Sequence, residues 1–188
     1  MKYFELTAAE PGDPREEWTL DFPDVNLPDW PLDPPGPVTD WNERIFAHYK
    51  CDAPHKDYPC VLGAWNVCSA RFRALLDQLA PGAIQFLPFR IRSIYGDGEV
   101  EGYSVINFTS ILDCLDRERS IAEDDDWEPQ EYGDIMLERT VLSRALIGDH
   151  TVFRVLGDSN LLIVREDAKD AITRDGLTGC HFAAMEVA

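Results

Sequence analysis

The stretch IQFLPFRIRSIYGDGEVEGYSVINF, residues 84–108, decides the fold class of this chain. Its first part, residues 84–94, alternates apolar side chains with proline and arginine, and this two-residue period is typical of a half-buried strand. The glycine-rich residues 96–98 predict a turn, and residues 103–108 predict a returning strand. The stretch therefore predicts an antiparallel β-hairpin. Pro88 places its first strand at a sheet edge or a bulge, because proline cannot donate to the strand ladder.

Short elements of both kinds flank this hairpin. A helix is predicted after Ser69, a suitable N-cap, because the apolar residues between 72 and 79 fall on one face and a Pro-Gly pair follows. A second short helix, capped by Thr109 or Ser110, is predicted to reach Leu115. The remaining predicted elements are strands at 2–6, 135–142 and 182–187, a hairpin made of 151–156 and 161–164, and a helix at 167–174. Together they predict an α+β fold of mostly antiparallel strands and hairpins with a few short helices.

A proline-rich irregular arm follows the predicted opening strand and precedes the other elements. Residues 9–37 contain eight of the thirteen prolines, and each proline removes a backbone donor and restricts φ, so an extended polyproline-like backbone is favoured. Four aromatic residues, including Trp30, lie in or beside this stretch, and a disordered tail rarely carries so many. The arm is expected to pack on the body or, alternatively, to be a strap that orders on contact with a partner. The chain thus divides into an acidic, proline-rich and irregular region, residues 1–66, and an α+β body, residues 67–188.

Acidic residues dominate the charge of the chain. It has 35 acidic residues against 17 lysines and arginines, a net charge of −18. Residues 1–40 and residues 113–134 each hold ten acidic and two basic residues, so these two stretches carry almost all of the excess. Like charges this dense cannot be buried, and residues 123–134 are predicted to form an exposed loop. A negative field repels nucleic acid and anionic membranes and attracts a basic partner, although solubility alone explains the charge equally well.

The sequence also predicts the compartment. It has no run of about 18 apolar residues that would span a membrane. Residues 1–10 contain one lysine and no apolar core, so they do not resemble a signal peptide. We therefore expect a cytoplasmic protein, in which the five cysteines, an odd number spread along the chain, are most simply free thiols.

No catalytic or metal-binding motif stands out. A phosphate-binding loop needs a third glycine and a strand-to-helix context, which residues 96–98 lack. No serine lies in a nucleophile-elbow motif, although a hydrolase-like site assembled from scattered residues stays open as an alternative. The best metal candidates, Cys51, His55, Cys60 and Cys68, have side chains that zinc binds but lack the paired close spacing of structural zinc sites. The sequence therefore predicts no catalytic residues, no metal and no cofactor.

The body also carries short motifs of a known family. They are residues 67–72 with 75–76, residues 85–89, residues 103–107 running on to 112–116, residues 152–155, residues 161–164, residues 168–172 and residues 176–179. In these motifs the chain resembles the small cytoplasmic immunity proteins of bacterial polymorphic toxin systems, a family first described as a domain of unknown function and named after a myxobacterial immunity protein. The resemblance covers about residues 67–183, and the opening residues 1–4 also fit. It implies neutralisation of a co-encoded toxin by protein binding, and that family offers no catalytic residues to carry over.

The acidic loop and the arm lie outside those motifs and are the expected sites of partner specificity. Electrostatic steering speeds the encounter with a basic toxin and suppresses wrong partners, while aromatic residues beside the acids supply buried anchors. The predicted partner is a cognate toxin domain with a basic surface, without direct contact to nucleic acid or membrane, and the sequence leaves the oligomeric state open. An acidic mimic of nucleic acid that inhibits many DNA-binding proteins is an alternative. The predicted contact residues are Asp124, Asp125, Asp126, Trp127, Glu128, Glu131 and Trp30.

Overall fold

The computed structural model describes residues 1–8, 19–21, 36–41, 46–49, 55–61, 65–95, 98–122 and 137–188. These residues form fourteen strands and three helices. The strands are β1 (Tyr3–Ala8), β2 (Thr19–Asp21), β3 (Phe46–Tyr49), β4 (Cys60–Val61), β5 (Val67–Ser69), β6 (Ile84–Ser93), β7 (Glu99–Phe108), β8 (Ile121–Ala122), β9 (Leu137–Arg139), β10 (Val141–Leu142), β11 (Val152–Val155), β12 (Asp158–Arg165), β13 (Cys180–Ala184) and β14 (Glu186–Val187). The helices are α1 (Ala70–Leu79), α2 (Arg144–Ile147) and α3 (Glu166–Arg174).

The hairpin of β6 and β7 is the centre of a six-stranded sheet with the strand order β4-β2-β3-β6-β7-β5. The two strands pair antiparallel from Ile84 opposite Phe108 to Arg92 opposite Glu99, which confirms the predicted hairpin. Two of the three predicted turn residues, 96 and 97, lie outside the described residues. β3 pairs with β6 in parallel, so the sheet is mixed, although most strand pairs in the described residues are antiparallel.

Pro88 lies where β6 tolerates a residue without an N–H. Among the described strands, β3 pairs with β6 only from Arg90 onward, so Pro88 has a strand neighbour on the β7 side alone. The register between β6 and β7 shifts between Phe89 and Ile91. The carbonyl of Pro88 accepts a hydrogen bond of 2.7 Å from the indole nitrogen of Trp41. The expected bulge beside Pro88 is confirmed, whereas β6 as a whole is an interior strand.

Helix α1 follows β5 directly and packs on the sheet through one face. Ser69 caps it, since the Ser69 hydroxyl accepts a hydrogen bond of 3.2 Å from the N–H of Phe72. The buried residues of the helix are Phe72, Leu75 and Leu76, which are separated by three or four positions. The predicted cap, apolar face and end of this helix are confirmed.

The first strand of the chain lies inside a sheet that is otherwise made of late strands. The order of this four-stranded sheet is β11-β12-β1-β13, and all its neighbours are antiparallel. β11 and β12 confirm the second predicted hairpin, and β1 confirms the predicted opening strand. α3 follows β12, and its acidic first turn and basic last turn suit the helix dipole, as the sequence predicted.

Three clusters of buried side chains hold these layers together. The first joins both sheets to α1 and α3 and includes Phe72 and Leu162. The second includes Trp65 and Leu87 and lies on the opposite face of the six-stranded sheet. The third includes Phe153 and packs β11 and β12 against α2 and the segment before β8. The β11–β12 side of the four-stranded sheet is therefore buried on both faces, and β11 is buried along its whole length, whereas β13 has the exposed residues His181 and Ala184.

The prediction of a short helix that reaches Leu115 is wrong. Leu112 instead bridges Val155, and Leu115 bridges Leu142, both as isolated β-bridges. The N–H of Leu112 donates to the carbonyl of Arg154 at 2.9 Å. The backbone groups that a helix would pair locally are taken by neighbouring strands, and tertiary packing in the third cluster overrides the helical pattern.

Two predicted strands are each divided in the structure. The described part of the segment 135–142 forms β9 and β10, which have different partners, β8 and β14. The final strand predicted at 182–187 is interrupted at Met185, so β13 pairs with β1 while β14 pairs in parallel with β10. The four-residue helix α2 is not predicted by the sequence, because a single turn has no measurable apolar period.

Strands also occur within residues 1–66. β1 belongs to the four-stranded sheet, and β2, β3 and β4 belong to the six-stranded sheet. From the arm, Gly36 accepts a hydrogen bond from Asn107, and Val38 exchanges two hydrogen bonds of 2.8 Å with the side chain of Gln85. The interpretation of this region as irregular does not account for these strands, and the division of the chain at residue 67 stays a prediction.

Candidate protein-binding surfaces

The seven residues predicted to contact a partner lie outside the described residues. They are Trp30, Asp124, Asp125, Asp126, Trp127, Glu128 and Glu131. The structure does show where the acidic segment leaves and rejoins the body. β8 and β9 pair antiparallel, with Ala122 opposite Leu137, so the described residues that flank the segment 123–136 are neighbours. That segment contains seven acidic residues and no lysine or arginine.

This two-strand stem is joined to the body through Ser120. The buried Ser120 hydroxyl accepts a hydrogen bond of 3.0 Å from the N–H of Val141 and donates one of 3.1 Å to the carbonyl of Val141. The N–H of Asp116 donates to the same carbonyl at 2.8 Å. The Asp116 carboxylate in turn accepts from the backbone N–H groups of Glu118 and Arg119 at 3.1 and 3.2 Å. The stem is therefore tied to β10 and, through β10, to the third core cluster.

A second surface feature is an open groove of roughly 640 Å³ between the start of α1 and the middle of the β6–β7 hairpin. Arg90 and Arg92 approach opposite oxygens of the same carboxylate, that of Glu99, at 3.6 and 3.4 Å. The guanidinium carbon of Arg92 lies 4.4 Å from the ring centre of Phe46. The guanidinium groups are thus held by a carboxylate and an aromatic face and lie at the surface of the sheet. Charged and polar residues lining the groove are Arg73, Arg90, Glu99, Glu101, Tyr103 and Ser104.

A buried carboxylate, Asp57, joins three parts of the chain. It accepts hydrogen bonds from the Ser69 hydroxyl at 2.6 Å and from the backbone N–H and hydroxyl of Thr178 at 3.0 and 3.1 Å. The Arg71 guanidinium lies 3.6 Å away. Burial raises the pKa of Asp57, but these hydrogen bonds and the charge of Arg71 outweigh it and hold the pKa below its ordinary value. Asp57 is thus a structural link between residues 55–61, the start of α1 and the loop before β13.

The described geometry gives a supported two-strand stem on either side of the acidic segment in sequence, and an open groove lined by Arg73 and Arg90. Comparison with protein-family models gives a match to an immunity protein family, Imm11, over residues 3–187. The chain belongs to the Imm11 immunity protein family. The predicted resemblance is confirmed and reaches beyond residues 67–183 to include the strands β1 to β4. No curated protein matches the chain.

Membership of Imm11 implies a toxin partner and favours a non-enzymatic role. Burial changes the acidity of three thiols in this Imm11 protein. Burial raises the pKa of Cys68, Cys114 and Cys180 to about 12 in each case, so these thiols are not nucleophiles at neutral pH. Cys68, Cys114 and Cys180 are free thiols, as the sequence predicted, and Cys51 lies outside the described residues.

The described residues of this Imm11 protein offer little support for the alternative enzymatic site or for the metal site. Within the described residues, no group of three or more His, Cys, Asp or Glu side chains is placed to hold a metal ion. Glu5 is the one carboxyl group there with a raised pKa, which burial and the negative charge of Asp158 cause and the charge of His181 opposes. Glu5 lies in the interior strand β1 and does not line the groove, so among the described residues this carboxyl group and that cavity lie apart.

No helix in the described part of this Imm11 protein has both the length and the apolar composition needed to cross a membrane. The motifs that carry the predicted resemblance are mainly apolar and turn positions, and many of them lie in the two sheets. The groove gives no such signal, because its members within residues 70–104 meet only through the packing of α1 and the register of β6 and β7. The Asp57 link gives none, because its members come from distant parts of the chain. Thr178, for example, is 121 positions from Asp57.

Proposed function

We propose that this Imm11 protein is a cytoplasmic immunity protein that neutralises a co-encoded bacterial toxin by binding it tightly. The family match over residues 3–187 carries the proposal. The charge distribution supports the mode of binding, since seven acidic residues without a compensating base lie between the paired strands β8 and β9. A basic toxin is drawn to such a segment from a distance, which speeds association.

The acidic and aromatic residues have separate roles in this proposal. The carboxylates attract the basic face of the toxin and pair with its lysines and arginines. Trp127 and Trp30 supply large side chains that become buried in the complex, where tryptophan contributes strongly to affinity. If the toxin is a nuclease, the carboxylates occupy the positions of substrate phosphates and block the active site. The acidic members are Asp124, Asp125, Asp126, Glu128 and Glu131.

The decisive experiment is a titration with the C-terminal domain of the toxin that the adjacent gene encodes. The wild-type protein is expected to bind with nanomolar or lower Kd, and binding should weaken as salt rises from 50 to 500 mM. The triple variant D124N/D125N/D126N should associate at least about tenfold more slowly at low salt, with a smaller salt dependence. An association rate unchanged at low salt would contradict the role of the acidic segment.

A matched control separates a local effect from the loss of net charge. Asp77, Asp149 and Asp170 are exposed aspartates on other parts of the surface. The variant D77N/D149N/D170N changes the net charge by the same amount as D124N/D125N/D126N. It should associate at nearly the wild-type rate. Equal slowing of both triple variants would show that total charge, rather than the segment, steers the encounter.

The net charge of −18 also fits an acidic mimic of nucleic acid, which is the second candidate function. A mimic presents charge without a specific surface, so it would bind several unrelated basic DNA-binding domains with similar Kd. An immunity protein should bind its cognate toxin at least about a thousandfold more tightly than a non-cognate toxin of similar net charge. Titration against two such toxins distinguishes the two functions.

A further inference from the structure

Half of one face of the six-stranded sheet is not covered by any described element. Ile84 and Phe86, near the start of β6, pack in the first core cluster with α1. Further along the same face Pro88 and Arg90 are exposed, and half of the Arg90 side chain, 50%, is accessible to solvent. α1 covers only the part of this face around Ile84 and Phe86. The groove therefore opens beside the start of the helix, where the face is uncovered.

Arg73 and Arg90 line this groove, Arg92 lies beside it, and contacts with neighbouring side chains hold all three before any partner binds. Arg90 and Arg92 share the carboxylate of Glu99, and Glu101 also lines the groove, so the three arginines and two glutamates here leave one positive charge in excess. Arg92 also lies over Phe46, and the guanidinium carbon of Arg73 lies 5.1 Å from the ring centre of Phe86. A guanidinium group has five N–H donors, and a single shared carboxylate leaves most of them available. An arginine cluster of this kind favours a carboxylate in a partner.

The backbone of β7 adds a second kind of contact to the groove. β5 pairs with β7 only from Tyr103 to Val105, and α1 then turns away at Ala70. On this side, the part of β7 from Glu99 to Gly102 has no partner strand among the described residues. An unpaired strand edge accepts an extended segment of another chain through main-chain hydrogen bonds.

We propose that this groove binds an extended, carboxylate-bearing segment of the toxin, so that the immunity protein holds its partner at two surfaces of opposite charge. This inference rests on the proposed function. The acidic segment between β8 and β9 attracts any basic protein, whereas the groove requires a carboxylate at a set position. The groove therefore supplies selectivity for one toxin, and the acidic segment supplies speed. A nucleic-acid phosphate is the disfavoured anion, because a protein of net charge −18 repels a polyanion.

The test compares two single substitutions that change the net charge equally. Arg90→Gln removes a groove arginine, and Arg174→Gln removes an exposed arginine that pairs only with the neighbouring Asp175 in the described structure. Titration with the adjacent-gene toxin domain should show Kd raised about tenfold or more for R90Q. R174Q should stay within about twofold of wild type. R90Q makes the protein more acidic, so steering by total charge would tighten its binding to a basic toxin, which is opposite in sign to the expected result.

Hydrogen exchange on the wild-type protein gives a second readout that needs no variant. Toxin binding should slow exchange of the backbone amides of residues 99–102 as well as those of residues 123–136. Protection of 123–136 alone, or equal Kd values for R90Q and R174Q, would overturn the groove inference and leave the proposed function intact. If the amides of residues 99–102 are already protected from exchange in the free protein, another part of this chain pairs with this edge of β7. That result would also overturn the groove inference. If wild type fails to bind the toxin at all, both proposals fail.

Discussion

Replacing Asp57 by asparagine tests the buried link that joins the two sheets. The wild-type carboxylate accepts three hydrogen bonds, from the Ser69 hydroxyl and from the N–H and hydroxyl of Thr178. A hydrogen bond to a charged group contributes about 2 kcal/mol, and one between neutral groups about 1 kcal/mol. Asparagine has the same shape but no charge, so the three bonds together should lose about 3 kcal/mol of unfolding free energy. The lost attraction of Arg71, whose side chain is largely exposed, adds little.

Urea unfolding followed by tryptophan fluorescence measures this loss, with the buried Trp65 as a reporter in the body. Asp113→Asn is the matched control, because Asp113 is an exposed aspartate that pairs with Arg117 at 3.1 Å. It should cost less than about 0.5 kcal/mol. A loss below about 1 kcal/mol for D57N, or a loss equal to that of D113N, would refute the reasoning that Asp57 is an ionised structural link.

The pH dependence of the same comparison has a defined sign. The folded pKa of Asp57 lies below its ordinary value, so its stabilising effect is fully present above the unfolded pKa of about 4. The effect is lost as the pH falls through the folded pKa. The difference in unfolding free energy between wild type and D57N should therefore be constant near neutral pH and should shrink below about pH 4. A difference that grows on acidification would contradict the lowered pKa.

Three further predictions concern packing and thiol reactivity. In Gly179→Ala the new Cβ would lie 2.2 Å from the carbonyl of Tyr58 at a φ of +86°, so a loss of more than about 2 kcal/mol is expected in urea unfolding. Gly176→Ala, at a φ of +63° just after α3 and with open space around it, should lose only about 1 kcal/mol, and equal losses would contradict the steric reason. Ser120→Ala leaves the N–H and carbonyl of Val141 without the Ser120 hydroxyl and should lose about 1 to 2 kcal/mol in the same assay, and an unchanged midpoint would show that the stem does not need it. Iodoacetamide at pH 8 should leave three thiols of the folded protein unmodified, because the pKa of each is about 12; they are Cys68, Cys114 and Cys180. Intact mass should show that these thiols react only after urea is added, and rapid labelling of the folded protein at these positions would contradict their burial.

Local patterns predicted the elements that are stabilised by residues close in sequence. The β6–β7 hairpin and α1 follow from a two-residue period, a turn and an N-cap, which are all signals within about ten residues. The same signals fail for the segment that ends at Leu115. Its apolar spacing fits a helix, but Leu112 and Leu115 are instead taken up by β11 and β10. A periodicity records which residues are apolar and not which neighbour buries them.

Of the two candidate binding surfaces, one can be read from local sequence and the other cannot. The acidic segment is visible in the sequence because its charges are consecutive. The groove is not, because Arg73 comes from α1 while Arg90 and Glu99 come from opposite strands of the hairpin. Only the register of β6 and β7, with Arg92 opposite Glu99, brings one carboxylate beside two arginines.

The sequence by itself determined the charge and where it is concentrated, the main local elements and the family. Those properties depend on composition and on neighbours along the chain. The tertiary structure alone decided that β1 lies between β12 and β13, that β8 and β9 form a stem for the acidic segment, and that Asp57 meets Thr178. Each of these contacts joins residues that local propensity does not relate. They form because burying the faces of two sheets selects one set of strand partners among many that the same local patterns allow.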